Sequence, residues 1–271
     1  MIRERQELSN TLAKPKGLGP EYAAQFDDAS VVAAYQHRPP HPDETIRILA
    51  GLIAKDCPRV LDVGCGTGFV ARPMSLLVER VDALDCSARM IERGQSLPNG
   101  TRKNLTWIHD PAETASLNPP YGLIVAGDSL HWMDWTIVLP RLRDVLAPGG
   151  YLALAMVNDE TMPWSAGLNR LIPQYSTNQD FEPYDLVEEL QRRDLFHVVG
   201  RRRTASVPFI QSIDAYIESI HARNGFSRER MDPAAAAEFD ARARQLIAPY
   251  AKGAQVELKV YGDVVWGTPA S

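Results

Sequence analysis

Residues Arg59 to Val70 read RVLDVGCGTGFV, and the fold turns on them. Val60, Leu61 and Val63 form a short apolar run suited to a buried strand. Gly64, Gly66 and Gly68 follow at alternate positions, and a new apolar, periodic segment begins at Phe69. Glycines at this spacing admit backbone conformations that other residues avoid, and they leave no side chain between main chain and ligand. A strand running through such a loop into a helix presents backbone N–H groups to a polar molecule. Taken alone, the loop also admits the lesser reading of a tight strand-to-helix turn with no ligand.

The flanking segments extend the strand–helix alternation. Residues 1 to 20 are polar, carry Pro15, Gly17, Gly19 and Pro20, and are expected to form a loose arm. Glu21 to Tyr35 is expected to be helical, Arg38-Pro39-Pro40-His41-Pro42 blocks its continuation, and Asp43 caps a helix reaching about Lys55. Downstream, the pattern predicts a crossover helix over Phe69 to Glu79 and strands at Val81 to Leu84, Leu105 to Ile108, Leu123 to Ala126 and Tyr151 to Val157. Helices are expected at Ser87 to Gln95 and Thr136 to Leu146. Such alternation implies a parallel sheet with both faces covered. After Val157, Asn158 to Glu182 looks like an insertion over the edge of the sheet. Helices follow at Tyr184 to Arg193, Ile213 to Ala222 and Pro233 to Ile247. One strand is expected within Thr204 to Phe209 and a last, antiparallel one over Gln255 to Trp266.

Composition narrows the classes. A 271-residue chain with 45% apolar and 23% charged residues suits one large globular domain with a cap. Net charge of -5 argues against a general nucleic-acid or anionic-membrane binder. The opening MIRERQELSN lacks the apolar stretch of a secretory signal, and no apolar run approaches the roughly 20 residues that span a bilayer. The cysteines, Cys57, Cys65 and Cys86, are odd in number and none has metal-ligand spacing. A cytoplasmic protein without disulfides or a bound metal is expected.

Asp85 closes the second strand, roughly 20 residues beyond the glycine loop, where α/β nucleotide sites hold ribose hydroxyls with a carboxylate. Val60 to Gly68 with Val81 to Met90 resembles the nucleoside-binding half of class I S-adenosylmethionine-dependent methyltransferases. The resemblance runs through Asp110-Pro-Ala-Glu113 and the Leu146-Ala-Pro-Gly-Gly150 turn, about residues 30 to 157 in all. It departs from relatives at Pro111, where an acid is common, and at Tyr121-Gly122, where Phe-Asp is common. The loop spacing Gly64-x-Gly66-x-Gly68 also differs from the dinucleotide pattern, which needs a glycine where Phe69 stands.

The resemblance implies an α/β fold: a Rossmann-like seven-stranded sheet with helices on both faces and a helical cap. Residues 1–44 would be an arm covering the cofactor, and 45–271 the main domain, with cap insertions near 158–182 and 211–250. It implies S-adenosylmethionine as cofactor. Asp62, Gly64, Cys65, Gly66 and Gly68 would serve its methionine end, Asp85 the ribose, and Cys86, Met90, Asp110 and Ala112 the adenine. Arg38 would bind the carboxylate and Tyr35 would face the sulfonium.

The loop Gly127-Asp128-Ser-Leu-His131-Trp132 resembles a His-Trp loop of small-molecule methyltransferases, with Asp128 at the cofactor. His131 is a candidate general base, or only a hydrogen-bonding group. Trp132 and Trp164 are candidate walls of a substrate pocket, and the cap aromatics a lid. Asn118-Pro119-Pro120-Tyr121 spells a motif of adenine DNA methyltransferases but precedes strand four instead of following it, so a turn is expected. Arg201-Arg202-Arg203 is expected to be a solvated bend, its alternative a guide for an anionic substrate. The expected function is methyl transfer to a small molecule, oxygen favoured over nitrogen or carbon, by a monomer or homodimer without nucleic-acid or membrane partners. A nicotinamide-dependent oxidoreductase and a non-methylating S-adenosylmethionine-binding protein are the alternatives.

Overall fold

The structure is a computed structural model that describes residues 14–270. The expectations for residues 1–13, the first part of the arm, lie outside the described residues. Strand β1 (Arg59–Val63) sits at the centre of a sheet with β2 (Arg80–Asp85), β3 (Leu105–His109), β4 (Tyr121–Gly127), β5 (Leu146–Asp159), β6 (Phe196–Arg203), β7 (Val207–Ser212) and β8 (Gln255–Pro269). The order is β3-β2-β1-β4-β5-β8-β6, and β7 also pairs with β8. The first five strands are parallel, and β8 is antiparallel to β5, β6 and β7. The sheet therefore has eight strands, not the expected seven. The chain runs outward from β1 to β3 and then returns to β4 beside β1. A crevice opens beyond the carboxyl ends of the strands at such a reversal.

The strands are apolar on both faces because helices cover both. Leu61 and Val63 pack with Ile124, Leu139 and Leu154 on one side, and Val60 packs with Leu49, Met74 and Val125 on the other. The helices are α1 (Pro20–Ala23), α2 (Ala29–Ala34), α3 (Asp43–Gly51), α4 (Ala71–Met74), α5 (Ala88–Ser96), α6 (Trp135–Val145), α7 (Ser165–Tyr175), α8 (Leu186–Arg192), α9 (Ile213–His221) and α10 (Pro233–Ile247).

Four expectations need correction. Helix α4 is one turn, not the expected Phe69 to Glu79. After Met74 the bonds tighten to Leu76 N–H on Pro73 O and Leu77 N–H on Met74 O. The amide of Asn104 then takes the carbonyls of Ser75 and Val78, at 2.8 and 2.9 Å, which a longer helix would need. Glu21 to Tyr35 is not one helix: α1 and α2 are separated by a 3-10 turn over Ala24–Asp27. Helix α3 ends at Gly51, short of Lys55. Arg201 to Arg203 is not a bend but the end of β6, an outer strand whose side chains are largely exposed, so it shows no buried alternation to read.

Beyond the sheet, α7, α9 and α10 close a second core with Trp164, Tyr216, Phe226 and Phe239. The segment around Gly17 to Arg38 ties this region to the nucleotide half. Arg230 forks onto Asp28 at 2.6 and 3.1 Å, while Asp27 accepts from Ser87 at 2.7 Å and Arg89 at 2.9 Å.

Candidate active site

The loop after β1 holds Gly64, Gly66 and Gly68 at φ of 68°, 53° and 80°, where glycine alone avoids steric cost. A Cβ on Gly64 would sit 2.5 Å from the Ser129 Cβ, so the loop is packed closely against the loop after β4. Ser129 donates to the Val63 carbonyl at 2.6 Å and holds the two loops together. At the end of β2, the Asp85 carboxylate accepts from the Gly66 N–H at 2.7 Å and the Ser87 N–H at 2.8 Å. Burial raises the Asp85 pKa, opposed by these two bonds. A carboxylate has about four acceptor sites, so it keeps capacity for a diol.

These groups line a cavity of about 1660 Å³ at the carboxyl edge of the sheet. Tyr35, Arg38, Gly64, Gly66, Asp85, Cys86, Met90, Asp110, Ala112, Asp128, His131 and Trp132 all contribute to its wall. A smaller cavity of about 310 Å³ adjoins it, sharing Tyr35, Arg38, Gly64 and Asp128 and adding His41, Asp62 and Cys65. Thirteen of these positions are the sequence's candidates for the cofactor or for His131's chemistry, and the tertiary fold brings them together from five separate segments.

Several sequence assignments land elsewhere or change character. Gly68 lines neither cavity; its missing Cβ would meet Trp107 at 2.7 Å, so it serves packing. Asp62 is buried beneath the loop and accepts the Ala71 N–H of α4 at 2.9 Å; burial pushes its pKa up to about 7. Trp164 does not face either cavity. It is buried in the second core, with its Nε1–H donating to the Tyr216 hydroxyl at 3.2 Å. The Tyr35 ring is occupied by Phe69, 5.7 Å away, and by the Arg38 guanidinium at 5.3 Å, so it carries Arg38 instead of offering a free ring to a cation. Burial pushes the Cys86 thiol up to about 11, which leaves it protonated at neutral pH.

His131 lines the large cavity, and its ring neighbours Trp132 at 4.7 Å. Burial, then the charges of Lys14 and Arg38, lower its pKa to about 4. It is neutral at pH 7 and a weaker base than a free imidazole. His41 belongs to the Pro-rich run, where the sequence alone suggests no role for it. It lines the small cavity, its Nε2 faces Gly127, and its buried Nδ1 lacks any hydrogen-bond partner. Burial, then Arg38, lower its pKa to about 4 as well. The signal for it was its place three residues after Arg38.

The donor set fits S-adenosylmethionine. A carboxylate able to accept a cis-diol stands at the end of β2, a guanidinium without an ion-pair partner among the described residues stands beside the glycine loop, and an orphaned buried imidazole nitrogen lies next to it. Asn118 to Tyr121 forms the turn into β4, with the Tyr121 hydroxyl donating to Asp82 at 2.7 Å; none of the four lines either cavity. Among the described residues no helix is long and apolar enough to cross a membrane.

Comparison with known proteins agrees with this geometry. Residues 60–150 match the family model described as a methyltransferase domain. An uncharacterized methyltransferase of Mycobacterium tuberculosis is 34% identical over 97 residues, 35% of this chain and 48% of that protein. Trans-aconitate 2-methyltransferase of Streptomyces avermitilis is 33% identical over 137 residues, covering 45% of this chain and 50% of its own length. The chain thus spans about half the length of the curated relatives it matches. A solved structure described as a putative type II methyltransferase from Anaeromyxobacter dehalogenans shares the fold with a TM-score of 0.62 at 22% identity, covering 85% of this chain and 97% of that one. The glycine loop and Asp85, which meet at one cavity, both lie within residues 60–150, the stretch that matches the methyltransferase domain.

Proposed function

We propose that the chain transfers a methyl group from S-adenosylmethionine to a small-molecule acceptor, with oxygen the favoured acceptor atom. The reading rests on one observation above the others: the Asp85 carboxylate and the glycine loop are hydrogen-bonded to each other at the wall of one cavity, with Arg38 on the same wall. When bound, the cofactor supplies a methyl group already activated by its sulfonium charge.

Asp85 accepts the ribose hydroxyls, and Met90 and Ala112 supply apolar wall for the adenine. Arg38, carried by Tyr35, pairs with the cofactor's carboxylate, and His41 offers a neutral nitrogen to the same amino-acid end. Gly64 and Gly66 let the main chain approach. Asp62 acts at one remove by holding the start of α4 under the loop. His131 orients the acceptor through a hydrogen bond; its depressed pKa makes proton abstraction a poor use for it. Residues 17 to 38 and the Trp132 loop roof the cavity and exclude water, which favours in-line alignment over hydrolysis.

Calorimetry with S-adenosylmethionine and S-adenosylhomocysteine, on the parent and Asp85→Ala, tests the cofactor site. No binding by the parent, or equal binding by both, removes it. Tighter binding of NADH than of S-adenosylhomocysteine would favour the oxidoreductase alternative. Incubation with methyl-labelled S-adenosylmethionine and a small-molecule extract tests transfer, and the absence of any labelled product would favour a protein that binds the cofactor without methylating.

A further inference from the structure

We propose that the acceptor is a carboxylate anion, seated by Arg201 of β6 and Arg223 just beyond α9, which line the large cavity, Arg223 where the small cavity adjoins it. The proposal rests on the methyl-donor reading above and adds the substrate class to it.

The register of the outer strands carries it. Arg201 pairs with Val265 and Arg203 with Asp263, while Val265 pairs with Leu154 and Asp263 with Met156. Directly paired residues share a face. Arg201 and Arg203 therefore stand on the face of Leu154 and Val265, which Leu130 and Met133 of the His131 loop also cover. All three arginines and Arg223 line the large cavity. Their charges are used differently. Arg203 forks onto Asp263 at 2.9 and 3.0 Å, and Asp263 also accepts from Asn158 at 3.2 Å. Arg202, on the other face, pairs with Glu44 at 3.6 Å. Arg201 and Arg223 have no side-chain hydrogen bond or ion pair among the described residues. Among the other residues that line the cavity, Asp185 accepts the Glu188 N–H at 2.9 Å, and the Glu188 carboxylate has no donor of its own among the described residues. Two uncommitted guanidiniums, both solvent-exposed on the cavity's lining, match a carboxylate, which accepts two parallel bonds from one fork and has lone pairs left for a second donor.

The chemistry is consistent. A carboxylate oxygen attacks the donor's methyl carbon with its own lone pair as the carbon–sulfur bond breaks and that pair stays on sulfur. The sulfonium becomes a neutral thioether, the carboxylate a neutral ester, and no proton leaves. A hydroxyl or carbon acid would need a base, and the one imidazole that lines the large cavity among the described residues is held near pKa 4.

The test is calorimetry of the full chain with benzoate, succinate and citrate as probes, and benzamide and succinamide as neutral controls, each with and without S-adenosylhomocysteine. At least one carboxylate is expected to bind while its amide does not. Arg201→Gln and Arg223→Gln should each weaken that carboxylate about tenfold or more, and Arg201→Gln should leave affinity for S-adenosylhomocysteine unchanged. Arg202→Gln, whose charge is already paired, should leave carboxylate affinity unchanged. Failure of every carboxylate to bind, equal binding of acid and amide, or full carboxylate affinity in both Arg201→Gln and Arg223→Gln would overturn the proposal. So would an Arg223→Gln effect confined to S-adenosylhomocysteine. Carboxylate binding that survives when S-adenosylhomocysteine fails to bind would instead sink the methyl-donor reading and leave the anion site standing.

Discussion

The Gly66 N–H donates to the Asp85 carboxylate at 2.7 Å, across 19 residues of sequence, so the glycine loop and the acid of the second strand form one structural unit. Removing Asp85 therefore removes a support of the loop and, under the proposed cofactor site, a ligand contact as well. Asp85→Ala is expected to weaken S-adenosylhomocysteine by about 100-fold, and Asp85→Asn, which keeps one acceptor, by about tenfold. Calorimetry reads both, and thermal melting without ligand separates the loop's loss of support from the loss of contact.

The proposed seating of the cofactor's amino-acid end in the small cavity can be tested apart from its adenosine end. Arg38→Ala and His41→Phe should each weaken S-adenosylhomocysteine, by about 30-fold and about fivefold, because a charge-assisted pair is worth more than a neutral hydrogen bond. Neither should change binding of 5′-methylthioadenosine, which lacks the amino-acid end. An equal loss for both ligands would move these residues away from that end.

His131 and His41 both have pKa values lowered to about 4 by burial, with Arg38 and, for His131, Lys14 adding to it. Their imidazole proton resonances are expected to stay still between pH 8 and 5 in an NMR titration. The unfolded chain takes up these protons near pH 6.5, so the two residues contribute a stability that is lost as pH falls from about 6.5 toward 4. A midpoint near 6.5 for His131 would restore its candidacy as a general base.

Asp62 runs the other way. Burial raises its pKa to about 7, so the folded state holds a proton that the unfolded chain releases near pH 4. Its ionisation penalises the fold progressively from about pH 4 to 7 and fully above that. Asp62→Asn keeps an oxygen for the Ala71 N–H and removes the charge. Relative to the parent it should melt about 5 °C higher at pH 8, with the difference vanishing toward pH 4.

Gly64→Ala should cost several kcal/mol and abolish S-adenosylhomocysteine binding, since the added carbon meets Ser129 in a left-handed backbone conformation; Gly149→Ala, with nothing within 4 Å, carries only the backbone cost of about 1 kcal/mol. Chemical denaturation of the two variants compares them directly.

The central half of the fold was legible because its signals are local. The apolar run of β1, the alternate glycines and the acid closing β2 each report on a few neighbouring residues. The outer sheet was less so. β6 exposes most of its side chains, and its pairing partner β8 lies more than 50 residues away, so nothing nearby marked Phe196–Arg203 as a strand or raised the count to eight. Helix α4 was overestimated because Asn104, which ends it, comes from a distant loop.

The sequence by itself determined the donor half of this protein: a strand, a glycine turn and a carboxylate whose chemistry depends on residue type and short spacing. Tertiary structure decided which candidates meet. Packing withdrew Trp164 and Gly68 from the cavity, turned the Tyr35 ring to Arg38, and depressed His131 through burial and charges from elsewhere in the chain. Pairing with β8 carried Arg201 to the cavity wall. Burial, register and electrostatic environment are properties of neighbours in space, and those neighbours are far apart along the chain.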